Sequence, residues 1–267
     1  RRGVKFDKEC ALQMQENAKK VLDEIKYSIF MIVGTEFDIS SKQQLYELLH
    51  GFKKKIKDKK NGGYKASYNE KLIEKSYGFP VEHWTAGGEY KDKNIKTPQM
   101  NKEAFYVILN KDYKDKRKKE GQEVVRLVMR YNKLQKLYST YMVGMFKEIY
   151  SDGKIHPSFN SCGTDSHRIS CDSPNLLNLP RPLEKVKEPK REQYATEEGY
   201  KIDLAEYKKD KAEYDFWIQF EIRSLLITEK KNDIITSSDD NALEKRQTAY
   251  KSKDQLLVRK KKKKLDP

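Results

Sequence analysis

The stretch GQEVVRLVMRYNKLQKLYSTYMVGMFKEIY, Gly121 to Tyr150, decides the fold class. Its residues Val124, Val128, Tyr131, Leu134, Tyr138, Tyr141, Met145 and Ile149 return every three or four positions, which lines one face of a long helix. Ser151-Asp152-Gly153 is a turn signal, and Ile155 and Phe159 beyond it suggest a short strand. Toward the N-terminus, Ala11, Met14, Ala18, Val21, Ile25, Ile29 and Ile32 predict another helix, with Asp7 as N-cap and Gly34 as stop. Ser40 followed by Gln43 has capping-box spacing and predicts a short helix to about His50. Thr97-Pro98 precedes a short helix over Lys102 to Leu109. Toward the C-terminus, Leu183 to Asp215 is charge-rich and reads as a surface insertion with some helix. Ile222 to Thr228 and Ile234 to Ser237 read as short β-rich segments. Helices come first and strands follow, so the class is α+β, a helical module feeding a sheet-based one. No internal repeat is present.

The chain has 267 residues, 56 Lys plus Arg against 41 Asp plus Glu, and a net charge of +15. That charge favours a polyanionic partner, nucleic acid first. A Lys-rich soluble protein is the bland alternative. The 17 Tyr and 10 Phe argue for folded material. The longest apolar run, Ile29 to Val33, falls far short of the roughly 20 residues of a membrane-spanning helix. No signal segment opens the chain. Cys10, Cys162 and Cys171 form no CxxC, and the four histidines are scattered, so neither a zinc site nor a disulfide framework is expected. A reducing, cytoplasmic location follows as the default. The first residue is Arg1 rather than Met, so the chain is expected to be a fragment or a processed piece.

Six of the eight residues from Lys53 to Lys60 are Lys, with Gly62-Gly63 after them. This reads as a mobile basic loop, either a solvated hinge or a phosphate-contacting tip. Gly87 to Lys96 reads as another loop, and Arg259 followed by five lysines is a like-charge block.

Two stretches could carry chemistry. Thr164 to Pro180 (TDSHRISCDSPNLLNLP) is dense in hydrogen-bonding side chains and holds one Arg; alone it could be a self-bonded loop. Ser238 to Arg246 (SDDNALEKR) places carboxylates directly after the apolar pair Ile234-Ile235 and its short run. Such carboxylates suit a hard cation such as Mg2+, although Asp239 could merely cap a helix.

Together these stretches resemble family A DNA polymerases, the class of bacterial DNA polymerase I and many phage replicative enzymes. Arg168, Ser170, Pro174, Asn175, Leu176, Asn178 and Pro180 match the family's T-x-T-G-R-L-S-S-x-x-P-N-L-Q-N-I-P loop. Asp239, Glu244 and Arg246 match D-Y-S-Q-I-E-L-R, motif A, with Leu243 conservative. Upstream, Arg2 to Asp7 is similar to R-G-V-x-I-D, and Glu36 to Leu45 to E-F-N-L-S-S-x-K-Q-L. Lys136-Leu137-Tyr138-Ser139-Thr140-Tyr141 is similar to K-L-x-S-T-Y of the thumb helix, and Ile222-Arg223 to the I-R before motif A. The motifs occur in order along nearly the whole chain, with extra residues near Lys53 to Ser76 and Leu183 to Asp215.

The resemblance implies an incomplete right-hand polymerase: thumb and lead-in helices over residues 1–150, then the N-terminal part of the palm over 151–267. It implies Lys136, Ser139 and Thr140 on the DNA backbone, which are contacts without sequence preference. It implies Arg168 in the minor groove at the primer end, where the acceptors are common to all base pairs. Asn175 and Asn178 would support primer and template sugars or phosphates. Asp239 would ligate both Mg2+ ions of a two-metal nucleotidyl transfer, and Asp240 would add its backbone carbonyl. Glu244 resembles the steric gate against a ribose 2′-hydroxyl, and Arg246 the nucleotide-side Arg. The implied partners are primer-template DNA, dNTPs and a processivity factor hosted by an insertion.

Departures accompany the resemblance. Leu177 replaces the loop's Gln, Asp240 an aromatic residue and Lys245 an apolar one. His167-Arg168 in place of Gly-Arg, with the insertions, leans toward a phage source. Neither a fingers R-x-x-x-K-x-x-x-F-G pattern nor H-D-E occurs, so this piece alone is expected not to polymerise. The remaining half, fingers and second carboxylate, would come from a longer parent chain or a second polypeptide. A non-catalytic primer-template clamp is the alternative, and a generic RNA-binding protein a weaker one.

Overall fold

Asp7 separates strand β1 (Val4–Phe6) from helix α1 (Lys8–Val33), its carboxylate accepting the Cys10 amide at 3.0 Å. Gly34, at φ 70°, closes the helix by returning its N–H to the Phe30 carbonyl. The computed structural model describes residues 3–57, 64–85, 96–160, 169–194 and 196–228. The chain divides into two compact units, Arg1–Ile227 and Thr228–Pro267, and every described residue but Thr228 lies in the first. The inward face of α1 is Ala11, Met14, Ala18, Leu22, Ile25, Ile29 and Val33. Leu22 and Val33 thus replace the expected Val21 and Ile32. The observed intervals keep pace with 3.6 residues per turn, whereas a run through Val21 and Ile32 averages 3.5 and drifts round the helix.

Helix α2 (Lys42–His50) is capped one residue later than expected. The Ser41 hydroxyl accepts the Gln44 amide, and the Gln44 side chain accepts the Asp38 amide at 2.7 Å. Ser40 is instead consumed by a turn in which its amide donates to the Asp38 carboxylate. The Lys-rich run is also not wholly a loop. Strand β2 (Lys55–Lys57) pairs antiparallel with β3 (Tyr64–Ala66), because a β-branched Ile56 among extended lysines and a Gly-containing connection suit a hairpin.

Helices α3 (Glu70–Glu74), α4 (Lys102–Asn110) and α5 (Lys116–Lys136) follow. The periodic segment is therefore helical, as its spacing predicts, but starts earlier, capped by Asp115, and is interrupted. A π-helical turn spans Leu137–Val143, and α6 (Gly144–Lys147) resumes beyond it. Gly121 of α5 is obligatory, since a Cβ there would come within 2.7 Å of the Tyr77 and Phe79 rings. Strands β4 (Lys154–Ile155), β5 (Ser158–Asn160) and β6 (Ser170–Asp172) are short. Two 3-10 turns, Leu176–Asn178 and Arg191–Gln193, lead to α7 (Glu197–Ile218). The insertion is thus mostly one helix, in which Trp217 is the buried residue. The segment from Ile222 is not strand throughout: a 3-10 turn (Ile222–Leu225) precedes a two-residue β7 (Leu226–Ile227). Ile234 to Ser237 lies outside the described residues.

β1 is the centre of a three-stranded antiparallel sheet, between β4 and β7. β5 pairs with β6. Two apolar cores run along α1 and α5. Ile25, Ile29 and Val33 meet Leu48, Leu49, Val124, Val125 and Val128 in one. Ala11, Met14, Ala18 and Leu22 meet Leu134, Met142, Met145, Ile155, Phe220 and Leu225 in the other. The N-terminal half of α1 therefore lies against the C-terminal end of α5, so the two helices are antiparallel. The end of α7 joins the second core through Phe216 and Trp217, with the Lys133 ammonium 3.7 Å from the Trp217 ring centre and Arg130 4.4 Å from that of Phe216.

Candidate nucleic-acid interface

The π-helical turn Leu137–Val143 carries Ser139, Thr140 and Tyr141, and Lys136 stands just before it. The wider turn brings both Tyr141 and Met142 into the core. Gly144 closes it by donating to the Ser139 carbonyl. From α1, the Gln15 amide donates to the Met142 carbonyl at 2.9 Å.

The loop after β6 is tied to this turn and to the Ile222 segment. Asn175 caps the Leu176–Asn178 turn, its side-chain oxygen accepting the Leu177 amide at 3.1 Å. The Tyr141 hydroxyl donates to the Asn178 carbonyl at 2.6 Å. Arg223 Nε donates to the Pro180 carbonyl at 2.8 Å, and the Glu221 carboxylate accepts the Leu183 amide at 3.1 Å. The buried Cys171 thiol points to the Pro174 carbonyl, 3.4 Å away. The loop is thereby fixed at both ends and in the middle.

Between turn and loop lies an open cleft of about 470 Å³, lined by Lys136, Thr140, Tyr141, Met145, Pro174, Asn175 and Asn178. Of the predicted site residues, Lys136, Thr140, Asn175 and Asn178 are brought together there. Ser139 is exposed on the same turn but does not line the cleft. Arg168, Asp239, Asp240, Glu244 and Arg246 lie outside the described residues. The lining offers one ammonium, the hydroxyls of Thr140 and Tyr141 and two amides, with no carboxylate, so an anion meets no opposing charge there. A second cleft, of about 510 Å³, is lined among others by Lys26, Glu36 and Asp38. Its two carboxylates oppose a phosphate backbone, and burial with Asp38 and Asp23 nearby raises the pKa of its Tyr131 phenol. The first cleft is the better candidate.

Leu177, where the family loop has Gln, is 55% exposed and adds no polar group. Among the described residues no group of three or more His, Cys, Asp or Glu side chains could hold a metal ion. Sequence reasoning assigned no role to Gln15, whose polar side chain beside an apolar stripe looks like any flank of an amphipathic helix. It placed Arg223 only by its motif, without its bond to the loop.

A family model described as DNA polymerase family A matches residues 89–267. The DNA polymerase I of Streptococcus pneumoniae serotype 4 is 25% identical over 257 residues, 96% of this chain and 21% of that protein. The DNA polymerase I of Bacillus subtilis is 26% identical over 208 residues, 78% of this chain and 19% of the relative. The chain thus spans about a fifth of the length of these curated relatives. Among solved structures, the POL domain of Pol1 from M. smegmatis, in complex with DNA primer-template and dNTP, superposes with a TM-score of 0.57 at 16% identity. That likeness covers 96% of this chain and 32% of the other, and shows that the mixed helical and small-sheet architecture is similar to part of that polymerase domain. With the family model matched from residue 89 to residue 267, well over half of its length, the chain belongs to DNA polymerase family A.

Proposed function

We propose that this chain is the thumb and motif A portion of a DNA-directed DNA polymerase, and that the Lys136 cleft grips the primer-template. The observation that carries this reading is convergence. Two motifs distant in sequence line one cleft, joined by Tyr141 on the Asn178 carbonyl, and Arg223 of a third motif holds the same loop at the Pro180 carbonyl. Lys136 and Thr140 on one wall and Asn175 and Asn178 on the other are donors suited to phosphate and sugar oxygens. Ser139 extends the same surface, and Arg168, ten residues before Asn178 in the matching loop, reads minor-groove acceptors common to all base pairs.

Residues 1–150 serve as thumb and lead-in and 151–267 as the beginning of the palm. Asp239 and Asp240 offer hard oxygen donors of the kind Mg2+ takes. Two bound Mg2+ ions would supply the Lewis-acid chemistry of nucleotidyl transfer. Glu244 excludes a ribose 2′-hydroxyl and Arg246 steadies the nucleotide side. A single such carboxylate cluster does not complete a two-metal site, so synthesis draws on fingers and a second carboxylate outside these 267 residues.

The test begins with fluorescence anisotropy of a labelled primer-template on this chain. Lys136→Ala is expected to weaken binding and to flatten the log–log salt dependence by about 0.9. Primer extension with Mg2+ and dNTPs follows, with the fingers half added. Restored synthesis that Asp239→Ala abolishes supports the polymerase reading. Binding that survives without any synthesis favours a non-catalytic clamp, and absence of primer-template binding overturns both.

A further inference from the structure

The chain has two tryptophans, and they are placed in opposite ways. Trp217 is 4% exposed, whereas Trp84 is 42% exposed. Trp84 nevertheless stands on a fixed mount. It bridges antiparallel to Pro98, and its neighbours are paired on both sides: the Thr85 amide donates to the Thr97 carbonyl at 2.9 Å, and the Gln99 amide to the His83 carbonyl at 2.9 Å. The Gln99 side chain donates to the Trp84 carbonyl at 3.0 Å. The indole packs against Phe52, centroids 5.5 Å apart at 72°, and Phe52 against the buried Tyr46, 5.4 Å apart at 87°. A backed, preorganised aromatic surface has little conformational entropy left to lose on binding.

Two exposed lysines adjoin, along the chain, the residues that mount it. Lys53 follows Phe52 directly, is exposed, and holds its ammonium 5.0 Å from the Tyr68 ring centre. Lys96 is exposed next to Thr97. The nearest acid along the chain, Glu82, is paired with Lys111. One indole is far smaller than the roughly 800 Å² per partner of a stable protein interface, but it matches the face of a single base.

We propose that Trp84, acting with the exposed Lys53 and Lys96, is a stacking platform for an unpaired base of single-stranded nucleic acid. The lysines meet phosphates and the indole meets the base, without sequence preference. None of these residues lines the Lys136 cleft, so the proposal does not depend on the polymerase reading.

Fluorescence tests it on the full chain. Because Trp217 is buried, quenching by an added strand reports on Trp84. Titration with dT12 is expected to quench the emission, a matched duplex to quench far less, and rU12 to show whether DNA and RNA strands both serve. Trp84→Ala is expected to weaken dT12 binding, read by anisotropy, between about five-fold and about a hundred-fold. Trp84→Phe should keep most of the affinity while abolishing the quench, which separates stacking from misfolding. Lys53→Glu and Lys96→Glu should each flatten the salt dependence by about 0.7. No quench by dT12, an equal quench by duplex, or unchanged affinity in Trp84→Ala would overturn the proposal.

Discussion

Tyr141→Phe removes one oxygen atom and tests whether the cleft is held as described. The ring is buried and stays so, which leaves no cavity. What is lost is the 2.6 Å bond from the hydroxyl to the Asn178 carbonyl. That carbonyl belongs to an exposed residue and can turn to water, so the cost is that of an ordinary hydrogen bond, about 0.5–1.5 kcal/mol. For a compact unit of this size that lowers Tm by roughly 1–6 °C. If the same bond fixes the Leu176–Asn178 turn for DNA, primer-template affinity falls by the same free energy, about two- to thirteen-fold. The assay is a double-mutant cycle with Asn178→Ala, read by both melting and anisotropy. Because Tyr141 holds the backbone and not the Asn178 side chain, its effect on Tm should persist in the Asn178→Ala background, while most of its effect on affinity disappears. Strict additivity in affinity would sink the positioning argument, as would an affinity loss with unchanged Tm.

Other changes probe the frame around the cleft. Gln15→Met keeps the side chain's length but strands the Met142 carbonyl, and should cost about 1–3 kcal/mol, with faster amide exchange confined to the π-helical turn. Gln122 donates to the Ile108, Leu109 and Lys111 carbonyls at the end of α4, so Gln122→Leu should cost about 1–3 kcal/mol by thermal melting without altering dT12 binding. His50 is held neutral, since burial lowers its pKa below 6.5 more strongly than its 2.9 Å bond to the Phe79 carbonyl raises it. The unfolded chain therefore binds the proton more readily, and stability, complete above pH 6.5, should fall as the pH drops below it; a His50→Gln variant with the same slope between pH 7.5 and 5.5 would contradict this.

Helices were legible in the sequence where periodicity and caps agreed. Asp7 and Gly34 bound α1, because a side-chain oxygen before and a left-handed Gly after an amphipathic run leave few alternatives, and the Lys102 helix sits at its expected place behind its Asn101 cap. The misses have local causes. The capping box slipped by one because Ser40 and Ser41 have equal chemistry and only the Asp38 turn chooses between them. The β2–β3 hairpin was hidden by its lysines, although Asn61-Gly62 is a hairpin signal. The π-helical turn is invisible to periodicity, since Tyr141 and Met145 fit an unbroken helix equally well; only burial of Met142 beside Tyr141 reveals the widening. Four of the cleft residues came from motif resemblance, not from charge or spacing, and the donors that position them are single contacts across long separations: Gln15 to residue 142, Tyr141 to residue 178 and Arg223 to residue 180.

Those three donors share a feature that explains how the cleft persists while its loop departs from the family pattern. Each ends on a backbone carbonyl. A carbonyl is present whatever side chain its residue carries, so a loop held this way keeps its path when its residues change. Leu177 illustrates the point: it stands exposed in place of a polar residue, yet the turn around it remains capped by Asn175 and clamped by Tyr141. Constraint therefore shifts from the loop to the donors. It should weigh most on Gln15, whose acceptor sits on the fully buried Met142, and less on Tyr141, whose acceptor on the exposed Asn178 can be rehydrated. On the proposed reading, the groups on the two walls of this cleft must stay in register to meet successive phosphates, and donors rooted in α1, the π-helical turn and the Ile222 segment provide that register from the core outward.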